Sequence, residues 1–134
     1  MHPVLRNVLA VIAGLIIGSI VNMLLINISG YVITPPQNAD VTSMEGLKTT
    51  MHLFGPEHFL FPFLAHALGT LVGAFVAAKI ATTNKIKFAL AIGAFFFLGG
   101  AINAYMLPAP IWFLILDLAG AYFPMAYLGK KLAK

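Results

Sequence analysis

The sequence contains no cysteine, which excludes a disulfide framework, a CxxC redox pair and a thiolate metal site. Charge is also scarce: charged residues make up 9% of the 134 residues, against about 25% in a typical soluble domain. Hydrophobic residues make up 60%. A soluble fold of this size could not bury so much apolar surface. The composition therefore indicates an integral membrane protein.

Motifs of common enzymes and cofactor proteins are missing as well. The sequence contains no P-loop, nucleophile elbow or HExxH pattern. His52, Glu57 and His58 are weak candidates for a metal site, because a helix break separates them and their spacing matches no strong ligand pattern. A bis-histidine haem is disfavoured because only His66 is expected at membrane depth. We therefore expect no metal and no cofactor.

Four apolar segments are each long enough to cross about 30 Å of hydrocarbon as a helix, which takes about 20 residues. They cover residues 4–29, 56–81, 86–107 and 110–129. The last two connections are so short that the helices they join should be antiparallel neighbours. Residues 1–134 are therefore expected to form one all-α domain, an antiparallel bundle of four transmembrane helices whose first helix is retained rather than cleaved as a signal peptide.

The positive residues predict the orientation of the bundle. All but one of the lysines and arginines fall at the same side of the predicted helices, and these are Arg6, Lys79, Lys85, Lys87, Lys130, Lys131 and Lys134. Only Lys48 falls at the other side. Cytoplasmic loops carry the excess of positive charge, so both termini should be cytoplasmic. The net charge of +4 is therefore an orientation signal and predicts no nucleic-acid partner.

The loop over residues 30–55 is the only substantial segment predicted on the outside. Thr42 and Glu45 have the spacing of a capping box, which predicts a short helix beginning there. Its apolar residues recur on one helical face, namely Met44, Leu47, Met51 and Phe54. This short helix is therefore expected to lie at the membrane interface.

Each predicted span carries one polar residue that does not belong in hydrocarbon: Asn22, His66, Asn103 and Asp117. Counted from the outer helix ends, they lie about 7 to 13 Å deep at about 1.5 Å per residue. Four helices of alternating direction thus place these residues in one layer in the outer half of the membrane. An ionisable residue at this depth is a candidate functional residue, although Asn, His and Asp can also hold helices together by hydrogen bonds alone.

Small residues accompany the polar residue on the same face of each predicted helix. The glycines that we expect to pack helices together are Gly14, Gly18, Gly69, Gly73, Gly99, Gly100 and Gly120. The polar residues therefore face other helices. An ionised Asp117 facing lipid would cost about 2.5 to 3.5 kcal/mol. Facing inward, it can pair with His66 or with either Asn, and the sequence does not choose between an ion pair and a neutral hydrogen-bonded pair.

Residues 63–75, with the sequence FLAHALGTLVGAF, resemble the small four-helix membrane proteins that are common in bacterial genomes. The resemblance extends over most of the chain. It implies a multi-pass protein of the bacterial inner membrane and carries no established reaction with it.

Three functions remain open from the sequence. The first is a homo-oligomeric channel or transporter, embedded in the lipid bilayer. It would move protons, small ions or solutes through the polar layer. The second is a non-catalytic structural or accessory protein whose polar layer only fixes helix packing. The third is a membrane enzyme that uses His66 and Asp117 on a lipid-soluble substrate.

Overall fold

The computed structural model covers residues 1–134 and consists of helices joined by short connections. Its α-helices are α1 (Pro3–Val32), α2 (Met44–Thr50), α3 (Leu60–Ile80), α4 (Lys85–Met106), α5 (Ile111–Gly120) and α6 (Phe123–Ala133). Short 3-10 turns at Met51–Leu53 and Pro56–Phe59 lead into α3. Four stretches are long and apolar enough to cross a membrane: α1, the turn at Pro56 with α3, α4, and α5 with α6. The all-helical class with four apolar helices is as predicted.

The fourth stretch corresponds to the span predicted over residues 110–129, in which Pro124 is expected to interrupt the helical hydrogen bonds. It is divided into α5 and α6 by a break at Ala121 and Tyr122. Pro124 has no backbone N–H, so the carbonyl of Gly120 loses its helical partner. In α6, Pro124 stands in the first turn, where a missing N–H costs nothing. A break therefore replaces the mild kink that a proline inside a helix would produce.

Helices α1 and α3 pack backbone against backbone through paired glycines. A Cβ atom on Gly14 would lie 2.6 Å from the carbonyl oxygen of Gly73, and one on Gly18 would lie 2.6 Å from that of Gly69. Residue numbers rise along α1 as they fall along α3, so these two helices run in opposite directions. Such close approach is how helices without large side chains between them gain packing energy.

The end of the bundle that holds both termini, here called the terminal end, is tightly filled. Its core consists of small residues and one isoleucine, namely Ala74, Ala77, Ala78, Ala89, Ile92, Ala126 and Ala133. Gly129 of α6 faces the backbone of α3 at Leu71 and Phe75 so closely that any side chain there would overlap it. None of these core residues lines either of the two cavities described below.

A polar clamp joins α1 to the turn between α3 and α4 at the terminal end. Oδ1 of the Asn7 side chain accepts from the backbone N–H of Thr82 at 2.9 Å, and Nδ2 of the same side chain donates to the Thr83 hydroxyl at 3.0 Å. Arg6 donates from Nε to the carbonyl of Ile80 at 2.6 Å. The bond from Arg6 satisfies a carbonyl that the end of α3 leaves without a helical partner, and the bond to Thr82 satisfies a backbone N–H in the turn that follows.

The opposite end, here called the loop end, is covered by the segment between α1 and α3. The N-cap of α2 is Ser43, which accepts from the N–H of Gly46 at 3.0 Å, one residue after the Thr42 that the sequence predicted. Thr42 instead donates to Asp40 through its hydroxyl at 2.5 Å and its N–H at 3.0 Å. These two bonds hold the pKa of Asp40 below its usual value of 3.8, and the bond from the Thr42 hydroxyl has the larger effect.

The apolar face of α2 packs onto the helices beneath it. Leu47 and Met51 contact a cluster formed with Phe59 and Phe113, which lie at the starts of α3 and α5. The expected short helix is therefore present, but it ends at Thr50, so that Met51 lies in the following 3-10 turn and Phe54 beyond it. This part of the apolar segment is covered by the protein itself. The segment thus forms a cover over the loop end of the bundle.

Candidate functional site

The site is built around His66 of α3 and Asp117 of α5. Nδ1 of His66 lies 2.8 Å from Oδ1 of Asp117 and 3.0 Å from Oδ2. The Asp117 side chain is 6% exposed and that of His66 is 21% exposed. In either charge state of the pair, Nδ1 and the carboxyl group share one proton. This leaves Nε2 of His66 as the nitrogen that is free to exchange a proton with another molecule.

Tyr122 completes the arrangement from the helix break. Its hydroxyl donates to Oδ2 of Asp117 at 3.2 Å, and its ring stacks on that of His66 with 5.7 Å between the centroids. Tyr122 is 2% exposed. Gly100 of α4 makes room for the hydroxyl, because a Cβ atom at that position would overlap it. Asp117 is therefore hydrogen-bonded to two side chains, those of His66 and Tyr122.

An intact helix would place Tyr122 about 140° around the axis from Asp117, so the helical pattern alone does not bring these two residues together. The break after Gly120 turns the chain and brings the tyrosine back onto the carboxylate. The only available sign was Pro124, two residues later, which predicts a local disturbance of the helix.

All four predicted polar residues line one cavity of about 530 Å³ at the loop end. Asn22, Asn103 and the His66–Asp117 pair come from four different helical stretches, and the cavity lies under the cover formed by α2. Asn22 and Asn103 face this space without joining the hydrogen bonds of the pair. The four residues that were expected to form one layer thus line one cavity, and among them only His66 and Asp117 bond to each other.

A second cavity of about 340 Å³ adjoins the first. The two share Asn22, His66, Gly100 and Asn103 in their linings. From there the second cavity extends toward Thr70, one helical turn beyond His66 on α3. His66 is therefore reachable from both spaces.

The predicted packing glycines fall into different environments. Gly14, Gly18, Gly69 and Gly73 lie in the contact between α1 and α3, and Gly100 lies under Tyr122. A Cβ atom on Gly120 would meet only the ring of Phe63, at 3.9 Å, and one on Gly99 would meet nothing within 4 Å. Gly99 therefore packs against no other helix of this chain, although the sequence predicts that it does.

The weak metal-site candidates do not come together. His58 accepts at Nδ1 from the N–H of Gly55 at 2.9 Å and donates from Nε2 to the carbonyl of Thr34 at 3.1 Å. Both nitrogens are thus occupied in tying the cover to the end of α1. Glu57 lies 3.6 Å from His58, and no three His, Asp or Glu side chains form a group able to hold a metal ion.

The sequence matches no protein-family profile and no curated protein, and the fold matches no solved structure. The resemblance of residues 63–75 to small bacterial membrane proteins is therefore not strengthened by these comparisons. Function has to be inferred from the cavities and the side chains that line them.

Proposed function

We propose that the chain spans the inner membrane of a bacterial cell as an antiparallel four-helix bundle with both termini in the cytoplasm. Two features support this arrangement. Apolar side chains stay exposed along α1, including Ile16 at 55% and Leu24 at 55%, and they would face lipid. Tyr31 and Tyr105, each 93% exposed at the loop end, have the amphipathic character of residues at the membrane interface.

Within that membrane, we propose that the protein is a homo-oligomeric transporter that moves protons, alone or with a small solute. The observation that carries this proposal is the cavity at the loop end, which has the His66–Asp117 pair in its lining, while no core residue of the terminal end lines either cavity. A site open to one side with an ionisable pair at its base is suited to alternating access. A permanently open channel would need a path through the packed terminal half.

The chemistry at the base of the cavity is proton uptake by Nε2 of His66. The proton converts the ring to an imidazolium, and the adjacent Asp117 carboxylate balances its charge at 2.8 Å. The hydrogen bond from Tyr122 holds the carboxylate in place while the histidine changes charge. Release of the proton toward the terminal end requires a second conformation in which His66 loses contact with the cavity.

The break between α5 and α6 supports such a second conformation. Interrupted helices commonly carry the binding site of transporters, because half-helices can move separately and leave backbone carbonyls free. Asp117 lies in the last turn of α5, and the free carbonyl of Gly120 follows it. One chain of four spans encloses little space, so a second copy is proposed to complete the path.

The transport proposal is tested by proton flux into proteoliposomes that contain a pH-sensitive dye, driven by an imposed membrane potential. Wild-type protein should acidify the lumen, and His66→Gln and Asp117→Asn should each reduce the rate at least tenfold. His52→Gln is the matched control, since this exposed histidine lies outside both cavities. If well-folded His66 and Asp117 variants carry wild-type flux, the polar pair serves helix packing alone.

A second candidate function is acid–base catalysis on a lipid-soluble substrate. The favouring observation is that Asp117 bonds to Nδ1 of His66, which lines both cavities, and a histidine oriented in this way can act as a general base through Nε2. Incubation with ester-bearing lipids, followed by mass spectrometry, should then reveal a product that Asp117→Asn abolishes. Such a product without proton flux would replace the transport proposal.

A further inference from the structure

The second cavity opens sideways, between α1 and α4, rather than toward the loop end. Ser19 of α1 and Gly99 and Asn103 of α4 line it and are exposed at the surface of the bundle. His66 and Thr70 of α3 form its back wall. These surface residues lie within helices long and apolar enough to span a membrane, so in a bilayer the opening faces lipid.

Thr70 presents a hydroxyl that has no partner within the protein. The residue is 1% exposed, it lines the second cavity, and its Oγ1 makes no hydrogen bond. A buried hydroxyl without a partner destabilises the folded chain, and a threonine in a helix can usually bond to the carbonyl four residues earlier. The Thr70 hydroxyl is therefore available to a bound polar group.

The charges around the opening select against an ionic headgroup. No lysine or arginine lines either cavity. The carboxylate of Asp117 is already bonded to His66 and Tyr122, so the site offers neither a free cation for an anion nor a free anion for a cation. Hydroxyl, imidazole and amide groups remain, and these groups bind an uncharged hydroxyl well.

The rim of the opening is mixed in polarity. Ile102 and the ring of Phe96 stand beside Ser19 and Asn22 in the lining. An apolar chain can leave the cavity past Ile102 and continue along exposed apolar side chains such as Leu98, which is 60% exposed. The shape and chemistry thus suit a molecule with one polar end and one apolar chain.

We propose that the second cavity binds the hydroxyl head of a neutral, single-chain, lipid-soluble alcohol, which enters from the bilayer between α1 and α4. The head exchanges hydrogen bonds with the Thr70 hydroxyl and with Nε2 of His66, and the chain lies against Phe96 and Ile102. This inference rests on the proposed insertion in a membrane and is independent of whether protons are transported.

The test uses a photoreactive long-chain primary alcohol in liposomes that contain the purified full-length protein. Labelling should saturate and should map to residues 19–22 and 96–103. An unlabelled alcohol of the same length should compete, whereas a carboxylate and a trimethylammonium of that length should compete at least tenfold more weakly.

Two variants make the assignment specific to this cavity. Thr70→Val removes the hydroxyl without changing shape, so it should weaken alcohol binding about tenfold while leaving the melting temperature unchanged or higher. Gly99→Trp should block labelling, because a side chain at this position meets no atom of the protein and would fill the opening. Ile115→Trp, at a 64% exposed position of α5 outside both linings, is the control and should label normally.

The proposal is overturned if labelling does not saturate, if charged and neutral competitors act equally, or if Thr70→Val binds as wild type does. Cross-links between two copies at residues 19–22 and 96–103 would also overturn it, since a second subunit would then cover the opening. Saturable labelling without proton flux would refute the transport proposal alone. Proton flux without saturable labelling would refute this inference alone.

Discussion

The hydroxyl of Tyr122 donates a 3.2 Å hydrogen bond to the Asp117 carboxylate across the break between α5 and α6. The two residues stand five positions apart, and only the broken helix lets them meet. This bond ties the start of α6 to the end of α5, so it couples the geometry of the break to the charge of the site.

Replacing Tyr122 by phenylalanine should lower the free energy of unfolding by about 1 to 2 kcal/mol, because the carboxylate loses one donor in a buried position. Proton flux should fall as well, since Asp117 is then held by His66 alone. Thermal unfolding in detergent and the dye assay in liposomes measure the two effects. A Tyr127→Phe variant, changed at a tyrosine 57% exposed, is the control and should match wild type in both.

The His66–Asp117 pair should show strong energetic coupling in a double-mutant cycle. Asp117→Leu and His66→Leu should each destabilise the protein by about 3 kcal/mol, since each leaves a buried polar partner unpaired. The double variant should lose less than the sum of the two, because neither member of the pair then remains unpaired and only the Tyr122 hydroxyl lacks its acceptor. Melting temperatures of the three variants decide the matter, and strictly additive losses would show that the two side chains do not bond in the membrane.

The glycine contact between α1 and α3 should tolerate no added methyl group. Gly14→Ala should destabilise by about 1 to 3 kcal/mol, because its Cβ would lie 2.6 Å from the carbonyl oxygen of Gly73. Gly99→Ala is the matched control, also inside a helix but with nothing within 4 Å, and should be neutral or stabilising by up to about 1 kcal/mol. Equal effects at the two positions would contradict the packing described for α1 and α3.

The polar clamp at the terminal end should contribute measurably to the stability of the folded protein. Asn7→Leu removes the acceptor for the N–H of Thr82 and the donor to Thr83 together, which should cost about 1 to 3 kcal/mol. Hydrogen exchange at the backbone N–H of Thr82 should accelerate at the same time. Unchanged protection of that N–H would show that another group replaces the asparagine.

The pH response of the cover should depend on Thr42. Because hydrogen bonds from Thr42 lower the pKa of Asp40, its ionised form stabilises the folded segment above the usual pKa of 3.8. That contribution disappears as the pH falls through the lowered value. Thr42→Val removes the hydroxyl bond, so the carboxyl signal of Asp40 in NMR should titrate at a higher pH. If Asp40 titrates at the same pH in Thr42→Val as in the wild type, the Thr42 hydroxyl does not lower the pKa of Asp40.

The apolar spans and the shared lining of polar residues could be predicted because hydrophobic length and helical depth leave few alternatives. The sequence predicts that Asp117 pairs with His66 or with an asparagine, and the packing of the helices shows that the partner is His66. Tyr122 and the Asn7 clamp could not be predicted, since both depend on how the chain turns at a break or between two helices. The cap of α2 was misplaced by one residue because Thr42 and Ser43 are both good caps, and Asp40 engages the first.

The paired glycines of α1 and α3 also restrict how these helices can move past each other. Gly14 and Gly18 face Gly73 and Gly69, so two pairs of glycines, four residues apart, bring the two backbones together. A small slide would push a Cβ atom into a backbone carbonyl, and a shift of four residues, about 6 Å, would replace Gly14 by Ala10 opposite Gly73. The contact therefore fixes the register of α1 on α3 and opposes sliding of one helix along the other.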